Sequence, residues 1–466
     1  MMSVLSRRAI MTGSAVLALS RSAAAQRGEP VLRVVAPWEY PSDDPADTGY
    51  IHTRLGVAET LIGVQPDGTL VGQIAERWAA DADGLTWRFQ IRAGARFHDG
   101  TPVTADAVAR SLQTAFKGES LSNVPLDSIG AEGGAVVIRT KAPFTPLPAF
   151  LVDYAGIILA PAAFGADGKV RSIIATGPYR LVKAEERTVL ELERFDDHWG
   201  APASIARMRY TAVPNGETRA NIAVAGDADL VFTLAPQAVP RINAGGQVRL
   251  ESLTIPRLRF ITLNLGLPQF ADVRVRRAIS LGIDRAGIAS GILRHPASAA
   301  TQLLPPMLSG WHNTALPLLR IDPAAARAAL DEVGWVPGSD GIRSKGGVRL
   351  AARMLVPSNR PEIPVMATAI QAQLRLIGMD LAVDVTQSAS IPDAVRDGTM
   401  QMTLIARTYV NVPDPIGTFI PDYTRERSVW GTLNWAGRDR MKALTDEYLI
   451  SPDEAGAARC GRRSPR

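Results

Sequence analysis

Cysteine is nearly missing from this chain: one residue, Cys460, in 466. A lone thiol excludes an internal disulfide and any multi-thiolate metal site, and by itself says nothing about the compartment. Long apolar runs are missing too. The stretch from Ala9 to Leu19 falls well short of the roughly 20 residues a helix needs to cross a bilayer, and no later segment is long enough. There is no low-complexity tract and no basic stripe. The formal charge of +5 falls to +2 once the first 25 residues are set aside, because they hold Arg7, Arg8 and Arg21 and no acid. A surface so nearly balanced gives no reason to propose nucleic acid or an anionic membrane as partner. Finally, GxSxG, HExxH, a Cys–His pair, a carboxylate dyad and the GxxxxGK[ST] phosphate loop are all lacking, so hydrolytic chemistry has no anchor in the sequence.

What is present is a globular composition, 46% hydrophobic and 21% charged, on a chain long enough for two or three domains. Its first 25 residues place two arginines before the short apolar run and end in Ala23-Ala24-Ala25. This pattern predicts an export signal cleaved after Ala25. The order Ser6-Arg7-Arg8-Ala9-Ile10, with Arg21 near the cleavage point, predicts the twin-arginine route, ordinary secretion being the alternative. The mature chain is then expected in the periplasm.

Hydrophobic spacing gives the elements. Strands are expected at VLRVVA (31–36), LTWRFQIR (85–92), AVVIRT (135–140), GIILA (156–160), TVLELERF (188–195), RMRYTAV (207–213) and FITLNL (260–265). Thr104 caps a helix through ADAVARSLQTAF, and Asp322-Pro323 opens another that Gly334 stops. From 348 onward the order is strand, helix, strand, strand, which predicts an α/β lobe with strand-end loops available for binding.

Several blocks resemble the extracellular solute-binding proteins of family 5, which serve peptide and nickel importers. Residues 70–112 follow the family signature through Trp78, Gly84, Phe97, Gly100, Thr104 and Ala105. TGPYRLV (176–182), DDHWG (196–200), LNLGLPQFADVRVRRAISLGIDR (263–285) and DPAAARAALDEVGW (322–335) come next in the family's order, and the likeness reaches about Tyr448. The resemblance implies an α/β, bilobal periplasmic-binding fold of type II, with an extra subdomain in the first lobe. On it, residues 26–258 form the first lobe and 259–448 the second. It also implies a small-molecule solute, an ABC permease and ATPase subunits in the inner membrane as partners, no nucleic acid, a monomer, no cofactor and no catalysis. A periplasmic hydrolase is the competing reading from another class.

The signature itself reads as structure: Trp87 and Phe89 supply core area, Gly94 and Gly100 allow turns, and His98 and His198 belong to the same blocks. For the ligand, the expected segment is RTYVNVPDP (407–415), offering Arg407, Tyr409, Asn411 and Asp414. Peptide-binding members commonly carry an aspartate where this chain has Asn411, which lacks the charge that strengthens a bond to an ammonium group. A family-wide Asp-Pro turn is the simpler account of Asp414. The order Arg407-Thr408-Tyr409 resembles the RTW of nickel-chelate binders, but the basic residue those proteins place near the end of the first lobe has no counterpart in 150–160. In the first lobe Tyr50, His52, Thr53 and Arg54 are candidate contacts, Arg54 toward an anion; Trp430 and Trp38 are further candidates, although buried tryptophans usually serve packing. No protein-ligated metal is expected, because neither His52 nor His312 has a second ligand at a recognised spacing; a chelated metal would take one nitrogen, from His52. Family members continue for several dozen residues beyond a segment like 441–455, whereas this chain ends in ARCGRRSPR, which reads as a tail in a shifted frame.

Overall fold

The computed structural model describes residues 30–450 except 309, 389, 410, 427 and 429. The expected export signal and the tail from 451 lie outside the described residues. The strands are β1 (Val31–Ala36), β2 (Ile62–Val64), β3 (Leu70–Gly72), β4 (Ala75–Ala80), β5 (Thr86–Ile91), β6 (Leu126–Glu132), β7 (Ala135–Thr140), β8 (Tyr179–Glu185) and β9 (Val189–Arg194). They continue with β10 (Arg207–Ala212), β11 (Leu230–Val231), β12 (Arg257–Leu263), β13 (Val336–Pro337), β14 (Arg343–Lys345), β15 (Val348–Arg349), β16 (Ala351–Pro357), β17 (Asp380–Thr386) and β18 (Met402–Thr408). The helices that matter below are α1 (Pro45–Arg54), α2 (Ala105–Ala115), α3 (Gly216–Ala225), α4 (Pro323–Glu332), α5 (Glu362–Arg375), α6 (Ile416–Tyr423) and α7 (Arg438–Ile450).

Two sheets carry the two lobes. The first has the order β11-β1-β10-β9-β8, with β1 parallel to both β10 and β11 and the remaining pairs antiparallel. The second has the order β12-β18-β16-β17, with β16 parallel to β17 and β18, and β12 antiparallel at the edge. A third, wholly antiparallel sheet, β4-β5-β7-β6, builds the extra subdomain.

The sequence explains each layer. Val108, Ala109 and Leu112 recur at helical spacing on α2 and are buried against the third sheet, whose β5 contributes Trp87 and the fully buried Phe89. Thr104 caps α2 by accepting from the Ala107 N–H at 3.2 Å, and Asp322 caps α4 by accepting from Ala325 at 2.9 Å. On α5 the residues Ile363, Met366, Ala367, Ile370 and Leu374 form the stripe that covers the second sheet. Gly94 and Gly100 take φ of 77° and 82°, a region closed to most side chains.

One expected strand is absent. Residues 156–160 are buried but join no ladder: Ile158 N–H donates to Glu59 O and Ala160 N–H to Ile174 O, so the apolar run threads between segments. A short buried apolar run has no periodicity that separates a strand from such a thread. The chain after β18 also takes an unforeseen course. Ile416 and Phe419 of α6 are buried in the apolar cluster of β5 and α2, and Thr145 N–H donates to Leu449 O at 3.0 Å, so α6 and the end of α7 pack on the first-lobe subdomain, while Leu433 between them pairs with β12 of the second sheet.

Candidate functional site

Parallel pairing gives each sheet a polarity, and in open α/β sheets ligands are met at the carboxyl ends of the strands. In the first lobe, the chain leaving β1 carries Trp38 and the chain leaving β11 carries Phe232, with their rings 5.7 Å apart. Helix α1 follows. Tyr50 and Arg54 are four residues apart on it and so share a face. Tyr50 meets Trp38 edge-on at 6.2 Å and Tyr154 at 5.6 Å. The Arg54 guanidinium lies 4.4 Å from the Trp38 ring centre and 5.1 Å from that of Tyr50. The residue is exposed to solvent.

The second lobe presents Arg360, three residues beyond β16, and Arg257, the first residue of β12 and the register partner of Thr408 at the end of β18. Arg259, next on the same face of β12, is bound to Glu362 at 2.6 Å. Arg54 of the first lobe is near enough to act on Arg257 electrostatically, and Arg360 acts on both. Burial, then Arg360, Arg259 and Arg54, push the Arg257 guanidinium down to about 10. Burial also lowers Arg54, with Arg360 adding to the effect while the phenols of Tyr50, Tyr154 and Tyr210 oppose it. For Arg360, burial and then Arg259 lower the proton affinity against Glu362. Among the described residues Arg54, Arg257 and Arg360 form no ion pair or side-chain hydrogen bond. Arg257 and Arg259 also border a cavity of about 430 Å³ lined by Ile261, Ile279, Met366 and Ile370.

Other expected contacts have different surroundings. His52 is fully buried, edge-on to Tyr40 at 5.4 Å, and neither ring nitrogen has a hydrogen-bond partner. Such a ring offers no surface to a solute, which removes it as a contact or chelate ligand. The Thr53 hydroxyl turns back to Tyr50 O at 3.3 Å. Arg407 is held by Asp422 through bonds of 2.7 and 3.0 Å, and Tyr409, 1% exposed, donates to Leu303 O at 3.3 Å. Asp414 accepts from the Ile416 N–H at 2.9 Å, as the local turn requires, and also from the Tyr448 hydroxyl of α7 at 2.6 Å. Asn411 is half-buried on the chain crossing toward the first lobe. Trp430 packs over Phe260, Leu355 and Ile405 on the opposite face of the second sheet.

His98 and His198 have protein partners, Gly177 O at 3.0 Å and Glu59 at 3.3 Å. Among the described residues no three His, Cys, Asp or Glu side chains gather as metal ligands, and no helix is long and apolar enough to cross a membrane. Arg257 and Arg360 escaped the sequence reading. Their signal was position: arginines in PRLRF and SNRP, at a strand start and just past a strand end.

Two α/β lobes with aromatic and cationic side chains at facing strand ends define a two-lobed binding protein. The family model for bacterial extracellular solute-binding proteins, family 5 (middle region), matches residues 69–428, and the chain belongs to that family. It is therefore a solute-binding protein of the kind that serves ABC importers. Among curated relatives, the nickel-binding periplasmic protein of Escherichia coli K12 is 24% identical over 410 residues, covering 83% of this chain and 78% of the relative. The glutathione-binding protein GsiB of the same organism is 25% identical over 288 residues, 60% of this chain and 56% of its own length. Among solved structures, NikA from Brucella suis in complex with Fe(III)-EDTA superposes with a TM-score of 0.80 at 25% identity, covering 92% of this chain and 89% of that one. DppA from Helicobacter pylori in complex with the peptide STSA shares the fold at a TM-score of 0.73 and 20% identity, covering 94% and 90% of the two chains.

Proposed function

We propose that the protein is exported to the periplasm, traps a small solute between Trp38, Tyr50 and Arg54 of the first lobe and Arg257 and Arg360 of the second, and presents the closed form to the permease and ATPase of its importer. The solute leaves chemically unchanged. The observation that carries this reading is the convergence of strand ends from both sheets on one aromatic and cationic cleft. A solute touching both lobes stabilises the closed arrangement by its differential affinity for it, and the membrane complex then has a shape to recognise. The similarity to NikA supports a second reading, a chelated metal as solute. Because no three metal-ligating side chains gather among the described residues, the chelator would supply most of the donors.

Native mass spectrometry of protein purified from the periplasm, without refolding, tests the proposal. A bound small molecule is expected, lost from the Trp38→Ala/Arg54→Ala double variant, and its return should compact the wild type in small-angle scattering. A protein that carries no guest and keeps one shape across a broad compound panel, or that converts the guest to product, overturns it.

A further inference from the structure

One buried cation lies at the same edge of the first sheet as Trp38 and Phe232. Arg219, in the first turns of α3, is 2% exposed, and among the described residues no carboxylate pairs with it. Its guanidinium donates instead to four main-chain carbonyls. Nη1 reaches Val213 O at 2.6 Å and Pro214 O at 2.8 Å, Nε reaches Phe232 O at 3.2 Å, and Nη2 reaches Thr233 O at 2.5 Å. Val213 and Pro214 follow β10, and Phe232 and Thr233 follow β11. Since β1 runs parallel between those two strands, the three carboxyl ends lie side by side, and the fork of Arg219 ties the flanking two together beside the end of β1.

We infer that Arg219 is a positioning residue for the solute: by clamping the chain that leaves β10 to the chain that leaves β11, it fixes the Phe232 and Trp38 rings as one wall of the site. The inference rests on the proposed function, in which Trp38 touches the solute. Phe232 is itself clamped, and its ring lies 5.7 Å from that of Trp38, which in turn carries the Arg54 guanidinium at 4.4 Å. Thr233 takes a φ of 57°, a left-handed conformation that a β-branched residue adopts only where its surroundings impose it. The bond from Arg219 to its carbonyl is such a constraint. Trp38 is held a second time, because the fully buried Tyr210 of β10 donates its hydroxyl to Trp38 O at 2.5 Å. Carbonyls arriving in two pairs suit a planar fork, which points five N–H donors in fixed directions, whereas a lysine ammonium offers three from one point. A buried charge without a counterion is costly, and here the four carbonyls compensate it. A neutral apolar side chain at this position would leave them, and the backbone that leads to Phe232, without their donors.

The test uses the full chain labelled with fluorotryptophan, in which Trp38→Phe identifies the Trp38 fluorine signal. The binding probe is the guest that co-purifies from the periplasm, recovered by heat extraction and titrated back onto dialysed protein in a calorimeter. Arg219→Met removes the clamp, and Arg219→Lys keeps a cation with fewer donors. Leu192→Ala is the control: it loosens the same sheet at β9, opposite Met208 near the start of β10 and so away from the clamped end. The Trp38 signal should shift or broaden in Arg219→Met and less so in Arg219→Lys, with affinity down by about tenfold in the first and partly restored in the second. Leu192→Ala should melt earlier by circular dichroism yet keep the signal and affinity of the wild type. A Trp38 signal or a guest affinity that stays at the wild-type value in Arg219→Met overturns the inference, as does an equal change in Leu192→Ala. Should Arg219→Met fail to fold, Arg219→Lys decides by the same two measurements. A wild type that carries no guest removes the reading beneath the inference, a result distinct from the others because the fluorine signal still reports whether Arg219 holds the ring.

Discussion

At the scale of single residues the most informative side chain is His52. Burial pushes its imidazole down to about 4, with His98 adding to the effect, and both nitrogens lack partners. In the unfolded chain the ring takes up a proton below roughly 6.5. The folded protein therefore binds fewer protons than the unfolded one between about 6.5 and 4, and His52 lowers stability as pH falls through that window. Asp153 works the other way, because burial pushes its carboxyl up to about 6 and the folded form gains as it protonates. The difference between wild type and His52→Phe isolates the histidine. Denaturant unfolding from pH 7 to pH 4 should show the variant losing less stability on acidification. Parallel curves would mean that the His52 ring acquires a proton or a partner without cost.

Helix α1 is the element on which the cleft depends. Asp44 caps it by accepting from the Ala46 N–H at 2.9 Å, and Gly49 lets it lie directly on the turn at Tyr154. A Cβ at Gly49 would stand 2.3 Å from Tyr154 O, a distance that forces backbone to move. Since Tyr50 and Arg54 ride on this helix, Gly49→Ala should weaken solute binding by about tenfold or more while lowering stability by about 1–3 kcal/mol. Calorimetric titration beside a thermal melt separates the two, and unchanged affinity would detach the helix from the site.

Elements of this kind were largely legible in the sequence. Spacing placed α2, α4, α5 and most of the strands, because amphipathic stripes and capping residues are local signals. The candidate site was legible in part. Tyr50 and Arg54 were named from their place at the start of the family's ligand-facing loop, but the role of Arg407 depends on Asp422, fifteen residues later, and the approach of Arg257 and Arg360 to Arg54 depends on how two sheets face each other. Tertiary pairing of that sort leaves no periodic trace along the chain.

For the whole molecule, the decisive feature is the return of α6 and the end of α7 to the first-lobe subdomain. Phe419, at 9% exposure, sits in the same cluster as Phe89 and Leu112, so that core is assembled from both ends of the chain. Phe419→Ala should cost about 3 kcal/mol or more. Hydrogen exchange should then quicken together in α6 and in β5, across a separation of some three hundred residues of sequence. Faster exchange confined to α6 would show that the two segments unfold independently.

The crossing from Thr408 to Ile416 also bounds the working stroke. Eight chain steps join the last residue of β18 to a residue fixed in the first-lobe core. Fully extended, they reach roughly 28 Å at about 3.5 Å per step. However widely the two lobes part elsewhere, they stay leashed within that reach at this side.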